Sequence, residues 1–258
     1  MPGMTDGMTE AAALVRYVVE GARATITLDS QHNRNALSRR LVTELVAALE
    51  AAEADPEVRV VAITAAGPVF CSGADMAEAS IEGMEVGARR IVALQRLIAT
   101  MSKPVVTRVH GAVRAGGIGI VAASDIVIAL DEATFALTEV KLGLAAAIIS
   151  LTVHARMNPR AAALTTLGGD VFNGVDAAAY GLVTEAVPAI ALNARMAEVC
   201  AQLATGAPQG LRESKAILNR DLVARIDAHG EEMAALSARL FASDEAREAM
   251  KAFLNRKK

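Results

Sequence analysis

Hydrophobic and polar positions follow two kinds of pattern along the first part of the chain. Short runs rich in β-branched residues predict strands, and stretches in which leucine and valine recur every three to four residues predict helices. Strands are predicted at 14–19, 24–28, 58–64, 104–109 and 125–130, with a shorter extended piece at 135–137. Helices are predicted from the N-cap Ser38 to Pro56, at 116–123 and at 144–156. Strands and helices therefore alternate, which indicates an α/β fold.

The pattern changes in the second part of the chain. From Pro159 onward it is mainly helical, and the last sixty residues predict three helices with alternating charges on their exposed faces. The decapeptide at the N-terminus has neither periodicity nor a run of apolar residues. We therefore predict a flexible tail at 1–12, an α/β core at 13–195 and a C-terminal helical region at 196–258.

Composition excludes several classes of protein. The 258 residues are 53% hydrophobic and only 3% aromatic, with a formal net charge of −3. A nucleic-acid-binding protein would show a basic face and stacking rings, so no nucleic acid partner is expected. The longest uncharged apolar stretch, 142–153, is too short to span a membrane, so no membrane partner is expected either. Two cysteines and the absence of a signal-like N-terminus predict a reduced, cytoplasmic protein.

A glycine-rich stretch at 117–122 matches the dinucleotide-binding pattern G-x-G-x-x-A, with Glu139 at about the distance of a ribose-binding acid. The helix that this stretch opens is cut short by the strand at 125–130, however, and Glu139 falls beyond that strand. A nicotinamide cofactor is therefore not favoured. The chain has no G-x-S-x-G or P-loop motif, and its four histidines are scattered without the spacing of metal ligands.

Two turns that lead from a strand into a helix, at 70–75 and 110–117, are rich in small residues. Small residues let backbone N–H groups approach a ligand, and a helix N-terminus offers donors without partners. Two such N–H groups that converge on one oxygen would form an oxyanion hole. On the glycines alone, two ordinary tight turns are the better interpretation, because glycine most often marks turns.

Three stretches taken together resemble the signature segments of the enoyl-CoA hydratase/isomerase (crotonase) family: 70–75, 111–117 with Asp125 downstream, and 135–143. The resemblance extends to 33–38, to Lys103-Pro104 and to 249–254, so it spans nearly the whole chain. It implies a spiral of ββα units with a C-terminal helical trimerisation region, assembled as a homotrimer or a dimer of trimers. It also implies an acyl-CoA substrate, no separate cofactor or metal, and a role in fatty acid metabolism.

The resemblance also implies roles for particular residues. The backbone N–H groups of Ala74 and Gly116 would hold the thioester oxygen as it becomes an enolate. The residues that would line the coenzyme A side are Arg34, Asn35, Ala36, Ser72, Asp75, Phe253 and Lys257. Arg34 is placed for a phosphate, and the last two would reach coenzyme A from a neighbouring subunit, although a basic C-terminal tail is also commonly just solvated.

The acid–base residues decide the reaction. Family hydratases usually have two glutamates, and this chain has Glu139 at one of these positions but Gly119 at the other. Hydration of a 2-enoyl-CoA by Glu139 alone is the first hypothesis, as in single-glutamate branches that include enzymes for methylglutaconyl-type thioesters. Isomerisation of a 3-enoyl-CoA, which needs one base, and binding with little turnover are the alternatives. A surface acid paired with Lys141 or Lys103 is the non-catalytic interpretation of Glu139.

Two further departures from the family pattern concern the acyl pocket. Ala145, Ala146 and Ala147 occupy the stretch in which related dehalogenases carry an aspartate, which argues against that chemistry and for a pocket of different shape. Arg114 stands where the family usually has an apolar residue. It could recognise a carboxylate on the acyl group or form a salt bridge between subunits, and we favour the structural role slightly. Arg114 and Gly119 are therefore the acyl-pocket candidates.

Overall fold

The computed structural model describes residues 12–82 and 84–255, and this part of the chain contains ten strands and eleven α-helices. The strands are β1 (Val15–Glu20), β2 (Arg23–Leu28), β3 (Val60–Ala65), β4 (Val69–Cys71), β5 (Val105–Val109), β6 (Ala112–Arg114), β7 (Ile126–Leu130), β8 (Thr134–Ala136), β9 (Phe172–Asn173) and β10 (Glu185–Val187). The helices are α1 (Arg39–Ala54), α2 (Met76–Glu82), α3 (Met84–Thr100), α4 (Gly116–Ala123), α5 (Ala147–Arg156), α6 (Pro159–Gly168), α7 (Gly174–Ala179), α8 (Ala189–Ala204), α9 (Pro208–Leu218), α10 (Arg220–Phe241) and α11 (Asp244–Asn255). Two short 3₁₀ helices lie at Gln31–Asn33 and Thr138–Leu142.

The strands form two sheets that the chain visits in turn. The larger sheet has the order β1-β2-β3-β5-β7-β10, and the smaller one has the order β4-β6-β8-β9. All neighbours are parallel except β1 with β2 and β8 with β9. Three times in succession, a strand of the larger sheet is followed by a strand of the smaller sheet and then by helix: β3-β4-α2, β5-β6-α4 and β7-β8-α5. This is the spiral of ββα units that the family resemblance implies.

Helices cover the larger sheet on both faces, which explains the continuous hydrophobic runs of its strands. Every residue of β3 is buried. One face packs against α8, with Val60, Val106 and Ile128 meeting Leu192 and Met196. The other face belongs to the main core, which it shares with α1, α3, α4 and the smaller sheet. The core is filled mainly by aliphatic side chains. It extends to the segments that follow β4, β6 and β8.

A buried ion pair fixes the C-terminal helices to the core. Lys215 of α9 is only 4% exposed, and its Nζ lies 2.7 Å from Oδ2 of Asp125 while donating to the carbonyls of Ile98 and Lys103. Asn219 donates to Oδ1 of the same aspartate at 2.9 Å. These bonds satisfy the buried charges and set the start of α10, which packs along α3 and α5. The C-terminal region thereby reaches the part of the core where the candidate site lies.

The element predictions are largely confirmed, with three corrections. The predicted turn at 70–75 begins two residues later than predicted, because Phe70 and Cys71 belong to β4. The predicted turn at 110–117 contains the short strand β6. Helix α5 begins at Ala147, three residues later than predicted, because 144–146 turn toward the cavity described below. The predicted boundary at 195/196 falls inside α8, and most of the predicted tail lies outside the described residues. None of the described helices combines the length and the apolar character that crossing a bilayer requires.

Candidate active site

A cavity of about 150 Å³ lies where the segments after β4, β6 and β8 meet helices α3, α5 and α10. Its lining is mostly apolar and contains no lysine or arginine among the described residues. It is formed by Ser72, Ala74, Met76, Met84, Ile91, Ala115, Gly116, Thr138, Glu139, Leu142, Leu144, Ala145, Ala146, Ala147, Ile148, Ser237 and Phe241. The structure therefore brings together Ala74, Gly116 and Glu139, which the sequence analysis selected as the reacting groups.

The two predicted oxyanion donors are neighbours. A methyl group added at Gly116 would lie 3.8 Å from the backbone nitrogen of Ala74. Gly116 is the first residue of α4, so its N–H has no acceptor within the helix. Ala115 precedes it with φ +46° and ψ −122°, a conformation that costs a non-glycine residue about 1–3 kcal/mol. An isolated bridge between Leu37 and Ala74 holds the other turn in place. The two residues that carry these donors thus lie side by side on one cavity wall, an arrangement that suits an oxyanion hole.

The carboxyl group of Glu139 has a pKa near neutral pH. It lies on the 3₁₀ helix Thr138–Leu142, and its Oε2 is shut off from solvent without any hydrogen-bond partner in the described protein. Burial raises the pKa of Glu139 from 4.5 to about 7. A buried polar oxygen without a partner is costly unless a ligand or water satisfies it. A carboxyl group with a pKa near neutrality can both take up and release a proton, which is what acid–base catalysis needs.

The structure contradicts the pairing of Glu139 with Lys141 or Lys103. The ammonium group of Lys141 lies 2.6 Å from Asp170 Oδ1, not beside Glu139. The Nζ of Lys103 donates to the carbonyl oxygens of Ala52 and Asp55. Both lysines therefore have other partners, and neither pairs with Glu139.

The raised pKa of Glu139 predicts a pH-dependent stability difference. Because the folded protein binds this proton more tightly than the unfolded chain does, ionisation destabilises the fold as pH rises from about 4.5 to about 7. A Glu139→Gln variant avoids that cost. We therefore compare the free energy of unfolding of the variant with that of the wild type at each pH. This difference should be larger at pH 8 than at pH 4.5 by about 3 kcal/mol, in favour of the variant. Urea unfolding of both proteins at the two pH values measures this difference, and a difference independent of pH would contradict it.

The two acyl-pocket candidates do not line the cavity. Arg114 turns toward β8, where its guanidinium donates to the Thr134 carbonyl at 2.7 Å and to the Thr134 hydroxyl at 3.0 Å. Burial lowers the pKa of Arg114. The alternative in which Arg114 recognises a carboxylate in the pocket is therefore contradicted, because Arg114 donates within its own sheet and does not line the cavity. The favoured alternative, a salt bridge between subunits, stays a prediction. Gly119 is buried inside α4, facing Gln95 of α3 and Ile149 of α5.

The residues predicted to line the coenzyme A side fall into two groups. Arg34 is exposed with φ +59°. Asn35 is buried: its Oδ1 accepts from Ser30 N in the same loop, and its Nδ2 donates to the carbonyls of Ala66 and Val69 between β3 and β4. Ala36 is also buried, directly after Asn35. A direct contact with a ligand therefore suits Arg34 better than Asn35, whose side chain holds the loop in shape.

The remaining residues of this predicted group are Ser72, Asp75, Phe253 and Lys257. Ser72 lines the cavity and donates to the Asn33 carbonyl. Asp75 accepts from Asn33 Nδ2 and from the backbone of Ala77 and Glu78, so it caps α2. Phe253 belongs to α11, and Lys257 lies outside the described residues, so their contacts with coenzyme A stay predictions.

Sequence reasoning missed the contribution of α10 to the cavity. Ser237 and Phe241 line the cavity near the end of this helix, more than ninety residues after the last of the three signature segments. No local pattern could identify them, because they reach the cavity only through the packing of α10 against α3 and α5. In the described part of the chain, no cluster of three or more histidine, cysteine or acidic side chains is arranged to hold a metal ion.

Comparisons with known proteins agree with this geometry. Residues 19–258 match the family model for enoyl-CoA hydratase/isomerase. The chain resembles the crystal structure of an enoyl-CoA hydratase from Mycobacterium avium, with a TM-score of 0.90 and 43% identity over 95% of this chain and 97% of that one. It also resembles a carnitinyl-CoA hydratase structure from Mycobacterium avium, with a TM-score of 0.83 and 29% identity over 95% and 97% of the two chains. A hydroxycinnamoyl-CoA hydratase-lyase from Pseudomonas fluorescens is 30% identical over 78% of this chain and 76% of its own. The chain therefore belongs to the enoyl-CoA hydratase/isomerase family.

Proposed function

We propose that the protein adds water across the 2,3 double bond of a 2-enoyl-CoA thioester. The observation that carries this proposal is the unpartnered, buried carboxyl oxygen of Glu139 in the same cavity as the N–H groups of Ala74 and Gly116. The relatives reported above are named as hydratases, which favours hydration over isomerisation. Coenzyme A is then part of the substrate, and we propose no further cofactor.

The chemistry needs one carboxyl group if that group handles both protons in turn. The N–H groups of Ala74 and Gly116 bind the thioester oxygen and stabilise the negative charge that develops on it. The Glu139 carboxylate takes a proton from water as the water oxygen bonds to the β-carbon, which leaves an enolate. The neutral Glu139 carboxyl then gives that proton to the α-carbon, and the thioester carbonyl re-forms. A pKa of about 7 suits a group that acts first as base and then as acid.

The assay that tests this proposal follows the absorbance of the enoyl thioester with two substrates. Crotonyl-CoA should lose absorbance as it is hydrated, and 3-hexenoyl-CoA should show no gain. A gain with 3-hexenoyl-CoA and no loss with crotonyl-CoA would support the isomerase alternative instead. Saturable binding of both thioesters without turnover would indicate a non-catalytic binding subunit.

The lining of the cavity predicts discrimination against acyl groups that carry a free carboxylate. No cation of the described residues lines the cavity, Arg114 is engaged at Thr134, and Glu139 would repel a second negative charge. A 3-methylglutaconyl-CoA substrate should therefore show kcat/KM at least about 10-fold below that of crotonyl-CoA, because burying an unpaired charge is costly. Equal kcat/KM values for the two thioesters would contradict this prediction and revive a carboxylate-binding role for the pocket.

We further propose assembly into a homotrimer or a dimer of trimers. Support comes from large apolar side chains that this chain leaves exposed around α6 and α7: Val140, Leu164, Leu167, Val171 and Val175. Exposed apolar side chains that lie together are typical of surfaces that another subunit covers. Fatty acid metabolism and a cytoplasmic location stay predictions.

A further inference from the structure

A fully buried glutamine lies between two helices that border the cavity. Gln95 of α3 has no exposed surface, and both ends of its amide are used. Its Nε2 donates to the carbonyl of Ile91 at 3.2 Å and to the carbonyl of Ile148 at 3.1 Å, and its Oε1 accepts from Thr152 Oγ1 at 2.7 Å. These bonds join α3 to two successive turns of α5. A buried amide is retained at little cost only when it is satisfied in this way.

The same amide occupies the space beside Gly119. A methyl group added at Gly119 would lie 3.0 Å from Cδ and Oε1 of Gln95 and 2.9 Å from Cγ2 of Ile149. Contacts this short require the neighbours to move, and Gln95 cannot move without breaking its bonds to α5. A side chain at position 119 would therefore press on both Gln95 and Ile149. The Gln95 amide thus fills the space beside the glycine that stands in place of the usual second glutamate.

The partners of Gln95 are part of the cavity wall. Ile91 on α3 and Ile148 on α5, whose carbonyl oxygens accept from Gln95 Nε2, both line the cavity. Ala146 and Ala147, which begin α5, line it as well. The glutamine itself does not line the cavity. It can act on a bound acyl group only by fixing the distance between the α3 wall and the α5 wall.

We propose that Gln95 is a positioning residue for the reaction. It holds Ile148 of α5 against Ile91 of α3 and thereby sets the width of the acyl cavity. Its amide occupies the volume that Gly119 leaves open. This inference rests on the proposed hydratase function. Misplacing reacting groups by about 1 Å can lower a rate by about 10². Gln95 therefore contributes to turnover and to the choice of acyl group without touching the substrate.

The main test replaces the amide by an apolar side chain of similar length. The Gln95→Met variant should lower kcat for crotonyl-CoA by about 10-fold or more and change the ratio of kcat/KM between 2-hexenoyl-CoA and crotonyl-CoA by at least about 3-fold. The dissociation constant of free coenzyme A should stay within about 2-fold of the wild-type value, because the acyl cavity does not bind it. Thr152→Val, which keeps the two bonds from Gln95 to carbonyls, should have a smaller effect on the same quantities. A variant with a lower melting temperature but unchanged kcat, KM and acyl preference would overturn the proposal.

A pair of glycine variants tests the packing relation. Gly119→Ala should lower the melting temperature in the wild-type background. The same substitution should lower it by less in a Gln95→Ala background, because the smaller side chain makes room for part of the methyl group. Gly117→Ala is the matched control, because its methyl group would lie 2.7 Å from Cβ of Cys71 rather than near Gln95. Equal effects of Gln95→Ala on both glycine variants would count against the proposed relation. If the wild-type enzyme hydrates no enoyl-CoA, the proposed function is contradicted instead. The effect of Gln95→Ala on the melting temperature of Gly119→Ala can still be measured in that case.

Discussion

Replacing Glu139 by glutamine is expected to lower kcat for the hydration of crotonyl-CoA by at least about 10²-fold, with a much smaller change in KM. Glutamine has nearly the same shape as glutamate but cannot take a proton from water or deliver one to the α-carbon. A positioned acid or base typically contributes about 10²–10⁴ to a rate, and Glu139 is the only carboxylate that lines the cavity among the described residues. Steady-state kinetics followed by the enoyl thioester absorbance measures the loss.

A matched control for this variant is Asp170→Asn. Asp170 pairs with Lys141 on the segment that carries Glu139, but it is largely exposed and does not line the cavity. Its replacement removes one surface ion pair, which is typically worth less than about 1 kcal/mol, and kcat should stay within about 2-fold of the wild-type value. If Glu139→Gln retained kcat within a few-fold while Asp170→Asn did the same, the acid–base role of Glu139 would have to be abandoned.

The elements that the sequence predicted well are those governed by local physics. The N-cap at Ser38 is confirmed by the bond from Leu41 N to Ser38 Oγ, and α1 ends at Ala54, before Pro56. The parallel strands were found because burial on both faces leaves continuous β-branched runs. The two turns that carry Ala74 and Gly116 were found because glycine permits the close approach of backbone donors. The roles of Ala74, Gly116 and Glu139 came from the resemblance to the family, because the glycines alone favour two ordinary turns.

What the sequence could not provide depends on contacts between distant segments. Arg114 gave no sign that its donors would be used by Thr134 of the neighbouring strand, since only the pairing of β6 with β8 brings them together. The wall formed by Ser237 and Phe241 depends on where α10 packs. From the sequence, Gly119 indicates only that the second glutamate usual in family hydratases is missing. Its contact with Gln95 shows that a side chain from another helix fills the space beside it.

Removing one oxyanion donor should produce a loss comparable to that of the Glu139 variant. In Gly116→Pro the backbone N–H is absent, and kcat is expected to fall by about 10²–10³-fold, as found when an oxyanion-hole donor is lost. Gly116 is the first residue of α4, so proline there removes no helical hydrogen bond, although it adds a steric restriction on Ala115, whose φ is +46°. The control is Gly116→Ala, which keeps the N–H and adds a methyl group 3.1 Å from the flexible end of Leu37, so its loss should not exceed about 10-fold. Circular dichroism shows whether both variants keep the fold. Equal activity in the two folded variants would mean that the enolate oxygen is not held by this N–H group.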